Sequence, residues 1–381
     1  MNGQSKNTRF RSNLAPQTPG LSYWESKGWF ENTDALIVGG GLVGMNAALE
    51  LQSLHPNWRI VLIDRSDIGG ASTRNAGFAC FGSPTELLED WQILGREKTI
   101  DLVKMRWGGL TELRRQWGDD ALGYRDCGSL EAFTNPESFK QCLAVLPEMN
   151  EALSPIFGET PFTTLDSSAL ADSGLNNVCG VISSPLEGDL DVAQMNRAMQ
   201  RELFSRGIDV IGGVTVQRLR ENGLAWRIET DQGDLEAKKV LVCNNAWASE
   251  LLDIDVQPAP NAVVVSQPLH RLKLKQTIHH DRGYVYAREV DGRLLIGGGR
   301  HWDCRDDHDR IQRLLDWAQK HIVGAESIQI DHHWIGQLGV GTHRMPVIDE
   351  LKPGLFAGVR LGGMGVAIGS EVGRQLARLT V

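Results

Sequence analysis

The sequence predicts an α/β fold: a Rossmann-like dinucleotide-binding domain interleaved with an α+β domain built on an antiparallel sheet. Three observations predict it. An apolar run, Leu36-Ile37-Val38, passes straight into Gly39-Gly40-Gly41-Leu42-Val43-Gly44, and a helical pattern follows. Twenty residues past Gly44 a second apolar run, Ile60-Val61-Leu62-Ile63, ends on Asp64. A second glycine cluster, Gly362-Gly363-Met364-Gly365-Val366, stands near the other end of the chain. One ligand touched by both clusters requires the chain to leave the first domain and return.

Strand, G-x-G-x-x-G, helix and acid in register have a physical purpose. Gly39 allows a tight turn, Gly41 lets backbone approach a pyrophosphate, and Gly44 lets helix and strand pack closely. The phosphates sit on the helix N-terminus, whose N–H groups lack intrahelical partners. Asp64 accepts hydrogen bonds from a ribose diol. A glycine-rich structural turn is the plain alternative, since Gly fills 42 of 381 positions.

Just past the second strand comes Gly70-Ala71-Ser72-Thr73-Arg74-Asn75-Ala76-Gly77-Phe78, too small and polar for core but at a strand end where open α/β sheets bind ligands. Helical patterns follow at 85–94, about 100–117 and about 137–152, and the Leu102, Met105, Leu110 and Leu113 stripe reads as core. Asp191 is a good N-cap for a helix at 192–205. Short β-rich runs at 208–211, 214–219, 224–230 and 240–243 suggest a meander, and a second β zone spans 262–299, broken at Asp291-Gly292. A helix at about 307–322, strands near 328–335 and 355–358, and a closing helix complete the pattern. The expected division is a flexible tail at 1–22, a first domain from 30–90, 175–258 and 330–381, and a second from 91–174 and 259–329.

A net charge of −9 argues against nonspecific nucleic-acid binding. No run of 18 apolar residues predicts a membrane span, and the polar N-terminus does not read as a signal peptide. Six cysteines without C-x-x-C spacing read as free thiols of a cytoplasmic protein.

The order of these features resembles the D-amino-acid oxidase/glycine oxidase superfamily of FAD-dependent amine oxidoreductases, from Tyr23 to Leu379, and most resembles its γ-glutamylputrescine oxidase-like group. Carrying the likeness are Ser22-Tyr23-Trp24, the 70–78 stretch, Asn244-Asn245-Ala246-Trp247, the Thr342 to Ile348 stretch and the closing glycine loop. The resemblance implies that Gly39, Gly41, Leu42, Val43, Gly44, Asp64 and Arg65 hold the AMP half of noncovalent FAD. It implies that Ala71, Ser72, Thr73, Asn75, Ala76 and Gly77 line its pyrophosphate, ribityl chain and flavin edge. Val214 touches adenine through its backbone, Asn245, Ala246 and Trp247 cross the pyrophosphate, and Gly363, Met364, Gly365 and Val366 reach the pyrimidine end of the ring. Backbone N–H groups at that helix start stabilise the anionic reduced flavin. Two departures stand out. Leu338 occupies the place of the Arg that clamps a substrate carboxylate in glycine oxidases, and Leu295 that of a Lys that helps oxygen react in the sarcosine oxidase-like branch. No Cys follows Cys304 to attach flavin as that branch does.

The implied partners are a small-molecule amine and O2 or another electron acceptor. Tyr284 and Tyr286 alternate on an expected strand and face one side, with Arg288 on the same face; the resemblance places a substrate-contacting Tyr here. Arg300 and His301 follow Gly297-Gly298-Gly299 and face either the pocket or solvent, and Arg344 binds an acidic substrate group or is a solvated loop residue. Of His332 and His333, on an alternating strand, only one can face inward. The acidic run at 303–309 reads as a helix start, and no metal site is expected. The competing functions are an NAD-dependent dehydrogenase using only the first motif and a non-catalytic flavin-binding partner protein.

Overall fold

The computed structural model describes residues 20–67 and 70–381. Of the tail expected at 1–22, residues 1–19 lie outside the described residues; Ser22 caps a short helical turn through a bond from Glu25 N (3.2 Å).

The first unit follows its sequence closely. β1 (Thr33–Val38) is apolar and almost wholly buried, as a central parallel strand must be. It turns at Gly39 into α1 (Leu42–Leu54), and β2 (Ile60–Ile63) lies parallel beside β1. Then come α2 (Pro84–Leu94) and α3 (Arg96–Trp117), β3 (Ser129–Phe133) and α4 (Pro136–Phe157). Asn135 caps α4, accepting from the N–H groups of Glu137 and Ser138, and Pro136 fits the first turn. After β4 (Gly180–Ser184), Asp191 caps α5 (Val192–Ser205) as expected, accepting from Ala193 N (2.8 Å) and Gln194 N (2.9 Å).

β5 (Asp209–Ile211) completes a parallel run with β2, and β6 (Val216–Asn222), β7 (Ala225–Thr230) and β8 (Gly233–Val242) form the expected antiparallel meander. β8 is longer than the short run at its end suggests. Its first half alternates buried Leu235 and Ala237 with exposed acids and lysines, which masks the strand in sequence. β9 (Gln257–Ser266), β10 (Thr277–His280), β11 (Val285–Val290) and β12 (Arg293–Gly298) follow. Asp291 and Gly292 both take positive φ (51° and 71°), the requirement of a two-residue hairpin turn. α6 (Asp307–His321) is capped by Asp306, which accepts from Asp309 N (2.8 Å). β13 (Ile330–Val340), β14 (Val347–Lys352), β15 (Leu355–Val359) and α7 (Gly365–Arg378) end the chain.

Two eight-stranded sheets result. The first runs β14-β15-β8-β1-β2-β5, with β7 and β6 branching from β8; β15, β8, β1, β2 and β5 are parallel. The second runs β13-β9-β12-β11-β10-β3-β4 and ends on Thr163–Thr164; only β10 and β3 are parallel within it. The boundaries expected at 175 and 330 do not follow these sheets. β4 and β13 lie beyond those boundaries yet pair into the second sheet, because β13 hydrogen-bonds along all of β9. β15 and β1 flank β8, so the loops leaving both strands open at one end of the first sheet. α7 locks onto α1 at a glycine contact: a Cβ on Gly373 would lie 2.5 Å from Val43 O. Chain start and chain end thus share one core with Leu42, Val43, Ile368, Val372 and Leu376.

Candidate active site

A single cavity of about 590 Å³ runs from the β1–α1 turn to the β15–α7 turn. At one end the wall is backbone. Gly39 has φ 114°, and a Cβ there would lie 2.8 Å from the Cys243 carbonyl. A Cβ on Gly44 would meet Gly39 O at 2.0 Å, so only glycine lets helix and strand approach this closely. No side chain of Gly41 can cap α1; Leu42 N donates to Ser72 Oγ (2.8 Å), which reaches in from the 70–78 loop. Asp64 Oδ2 accepts from Gly40 N (2.7 Å), which ties the end of β2 to the turn. Across the cleft Asn245, at φ 45°, accepts from Arg360 N (3.0 Å) and Leu361 N (3.2 Å) and pins the loop after β8 to the end of β15. Beside it Asn244 Oδ1 is buried with no partner. The Arg65 guanidinium lies 4.2 Å over the Trp247 ring.

This end fits a dinucleotide. Two helices, α1 and α7, start at the cavity with N-cap residues that supply no capping side chain, one acid stands at the β2 end, and a buried amide oxygen has no donor. Of the expected contacts, Gly39, Gly41, Leu42, Val43, Asp64, Arg65, Ala71, Ser72, Asn75, Ala76, Val214, Asn245, Trp247 and Gly363 to Val366 line the cavity. Gly44, Thr73, Gly77 and Ala246 do not. Gly44 is buried under Gly39, Ala246 is core, Thr73 Oγ1 turns back to Gly70 O (3.4 Å), and Gly77 is backed by Leu190 O and Arg288. Val214 spends its N–H on Asp64 O (3.0 Å), leaving its carbonyl for a ligand.

The other end is built of side chains. Tyr284 stands outside the expected strand, in the turn after Asp281 and Arg282, both at positive φ. It still lines the cavity, as does Tyr286 in β11, whose hydroxyl meets Asn261 Nδ2 at 2.6 Å. The His301 ring stacks on Tyr284 with centroids 4.4 Å apart, and Arg300 Cζ lies 4.4 Å from the same ring. His301 Nε2 meets Asp281 Oδ2 at 2.8 Å, while its Nδ1 has no partner. That contact holds the Asp281 carboxyl down at about 2. Arg300 and His301 therefore belong to the cavity and are not surface-loop residues.

Arg288 and Arg344 correct the sequence reading. Arg288 turns away from the cavity into an ion pair with Asp189 (3.1 Å). Arg344 is bound to acids of α2: Asp90 at 2.7 Å, Glu89 in close contact and Glu86 at 3.8 Å. Burial opposes its charge, but these carboxylates outweigh burial and drive its pKa up. Its charge is thus already matched by acids of the protein, while the side chain still lines the cavity with Nη2 3.5 Å from the Tyr284 hydroxyl. Neither His332 nor His333 faces inward; both are exposed on β13.

Several residues here were invisible in sequence. Arg106 on α3 sits among leucines that read as plain core, yet it is 1% exposed, donates to Phe81 O (2.9 Å) and pairs with Glu86 (3.1 Å). Burial, then Glu86, pushes Asp90 up, against the pull of Arg106 and Arg344. Glu131 anchors the start of α2 through Thr85 N (3.0 Å) and Ser83 Oγ (3.1 Å), and burial raises it to about 7. Among the described residues Cys80, Glu187 and His279 also gather, their ligand-type atoms within 4.8 Å of one another. His279 Nε2 lies 3.2 Å from Glu187 Oε2. Burial disfavours both charges, but the pairing wins: His279 shifts up and Glu187 down.

The family model described as FAD dependent oxidoreductase (DAO) matches residues 34–379. The chain belongs to this family. It is therefore an enzyme and an FAD-dependent flavoprotein. Among curated relatives, this family member is 24% identical over 372 residues to the gamma-glutamylputrescine oxidoreductase of Escherichia coli K12, covering 91% of this chain and 83% of that one. It is 25% identical over 324 residues to the bifunctional protein ThiO/ThiG of a Synechocystis strain, using 80% of this chain but spanning only 44% of that one. In fold it matches the crystal structure of L-proline dehydrogenase from P. horikoshii, with TM-score 0.74, 17% identity and coverage of 92% and 94%. Among the described residues no helix is long and apolar enough to cross a membrane.

Proposed function

We propose that this oxidoreductase oxidises a small primary or secondary amine, or an amino acid, to an imine that water hydrolyses to a carbonyl compound. The observation that carries the reading is the one cavity that joins the backbone cradle at Gly39–Gly44 to the Tyr284, Arg300 and His301 cluster past Gly363–Val366. When bound noncovalently, FAD supplies a two-electron acceptor that takes hydride at N5. The N-termini of α1 and α7 would hold its pyrophosphate and the pyrimidine edge of its ring, and their backbone N–H groups would meet the charge developing there without reorganising.

The chain's own task is to place and shield the amine. Asp281 fixes His301 through Nε2 and the His301 ring stacks on Tyr284, so the two rings stand as one rigid part of the cavity wall. Tyr284 forms the wall against which the substrate lies. Leu338 lines the cavity and offers no charge from β13, and Leu295 is buried where a lysine would assist oxygen, so another acceptor is as well served as O2. A nicotinamide-dependent dehydrogenase would use the first glycine motif alone and leave the uncapped start of α7 without a task.

The test is anaerobic mixing of the yellow holoenzyme with a panel of amines and amino acids. Bleaching of the flavin by a member of the panel supports the reading. Flavin that stays oxidised against the whole panel refutes it. Readmitting air then separates oxidase from dehydrogenase.

A further inference from the structure

Cys80, Glu187 and His279 take no part in the function proposed above. The fold brings them together from distant parts of the chain. Phe78–Ala79 pairs antiparallel with Gly188–Asp189, Ala79 facing Gly188, so the next positions along that ribbon, Cys80 and Glu187, stand side by side. β10 carries His279 against Glu187. The three ligand-type atoms lie within 4.8 Å of one another, and the residues are 6%, 1% and 5% exposed. The set is held still. Glu187 Oε1 accepts from Phe81 N (2.8 Å) and Gly82 N (3.2 Å), and the His279 ring stands edge-on to Phe78 with centroids 5.4 Å apart. The facing atoms are nevertheless unsatisfied. Glu187 Oε2 and His279 Nε2 touch at 3.2 Å, yet each is buried without a hydrogen-bond partner. Cys80 Sγ has a weak neighbour in Met364 Sδ, at 3.9 Å. Buried polar atoms left in this state are costly unless a ligand completes them.

We propose that Cys80, Glu187 and His279 form a binding site for a divalent cation with the ligand preference of zinc. A thiolate, an imidazole nitrogen and a carboxylate are the donors zinc takes, and the sulfur and nitrogen among them disfavour calcium and magnesium. Tetrahedral zinc keeps its ligands about 3.5 Å apart, so the set has to close by about 1 Å at most. Charge does not oppose the exchange. The cation displaces one proton from the Cys80 thiol and one from the imidazolium that faces Glu187, so the buried set stays neutral. The two backbone N–H groups on Glu187 Oε1 give the outer support that orients a metal-bound carboxylate. Cys80 and His279 line the cavity, so the fourth position opens toward it, for water or a ligand held there. Three protein ligands and one open position are the pattern of a site that binds or activates a ligand, where a purely structural site would supply four protein ligands.

The experiment uses holoenzyme dialysed against EDTA and checked for retained flavin. Zinc is titrated in competition with a chromophoric chelator, and cobalt(II) is added to a separate sample. Wild type is expected to bind zinc at micromolar concentration or below, to melt at a higher temperature with zinc than without, and to give tetrahedral cobalt absorption at wavelengths beyond the oxidised flavin bands. Cys80→Ser and His279→Gln are each expected to weaken zinc binding about 100-fold and to remove the cobalt signal. Cys304→Ser, outside the set, is expected to change neither. Wild type that binds no zinc at micromolar concentration, or variants that bind it as tightly as wild type, refute the site and leave Glu187 and His279 a plain ion pair. Should both variants fail to fold, the wild-type cobalt spectrum decides: tetrahedral absorption supports the site, and octahedral absorption or none refutes it. The amine panel tests the proposed function separately, so neither result bears on amine oxidation.

Discussion

The two ends of the cavity are made of different material. The end proposed for the dinucleotide is backbone: glycines at contact distance, helix starts whose N-cap residues supply no capping side chain, and an acid bonded to the glycine turn. The end proposed for the substrate is side chains drawn from α2, α3, β11 and the loops after β12 and β13, locked by ion pairs. Backbone recognition demands particular residues at fixed spacing, so it leaves a mark in sequence. A side-chain network needs only that its members meet in space, so it leaves almost none.

The contrast is easiest to break at Gly44. Gly44→Ala puts a methyl 2.0 Å from Gly39 O and should abolish FAD binding and lower the melting temperature sharply. Gly365→Ala, where the nearest atom lies 3.6 Å away, should retain flavin. Flavin-to-protein absorbance ratios read both; equal occupancy in the two variants would erase the distinction.

At the side-chain end, Arg106→Met takes away the 3.1 Å partner of buried Glu86, leaves it only Arg344 at 3.8 Å, and should cost about 3 kcal/mol in denaturant unfolding. A loss under 1 kcal/mol would mean the acids are satisfied elsewhere. Glu131 gives a pH signature. Its folded pKa, about 7, lies above the ordinary 4.5, so its contribution is full below about pH 4.5 and is lost as pH rises to about 7. Glu131→Gln should flatten that part of the stability–pH curve, by up to about 3 kcal/mol. A wild-type slope that persists in the variant would clear Glu131 of the effect.

The smallest expected change is at Tyr284. Tyr284→Phe removes a hydroxyl that lies 3.5 Å from Arg344 Nη2 but keeps the ring that Arg300 and His301 pack against. Flavin reduction should slow about 5-fold while flavin content holds. Unchanged rates would leave the ring as the whole of its contribution.

Particular residues show how much was legible. β1, Gly39, Gly41, Gly44 and Asp64 form one unit within a stretch of 32 residues, and the hairpin at Asp291-Gly292 and the cap Asp191 depend on neighbours. These were all readable. Arg344 was misread because its partners lie some 250 residues earlier, on α2. Arg106 carries no local sign at all, since a buried arginine on a leucine stripe looks like an exposed one. Tyr284 was placed on the right wall for the wrong reason, because the positive-φ turn at Asp281 and Arg282 starts β11 one residue later.

The most direct measurement is a crystal structure of the holoenzyme. The account requires one FAD with its pyrophosphate at the start of α1, its ring against Gly363–Val366 and its far face toward Tyr284 and Arg300. A flavin ring lying elsewhere, or touching only one of the two glycine loops, would contradict it.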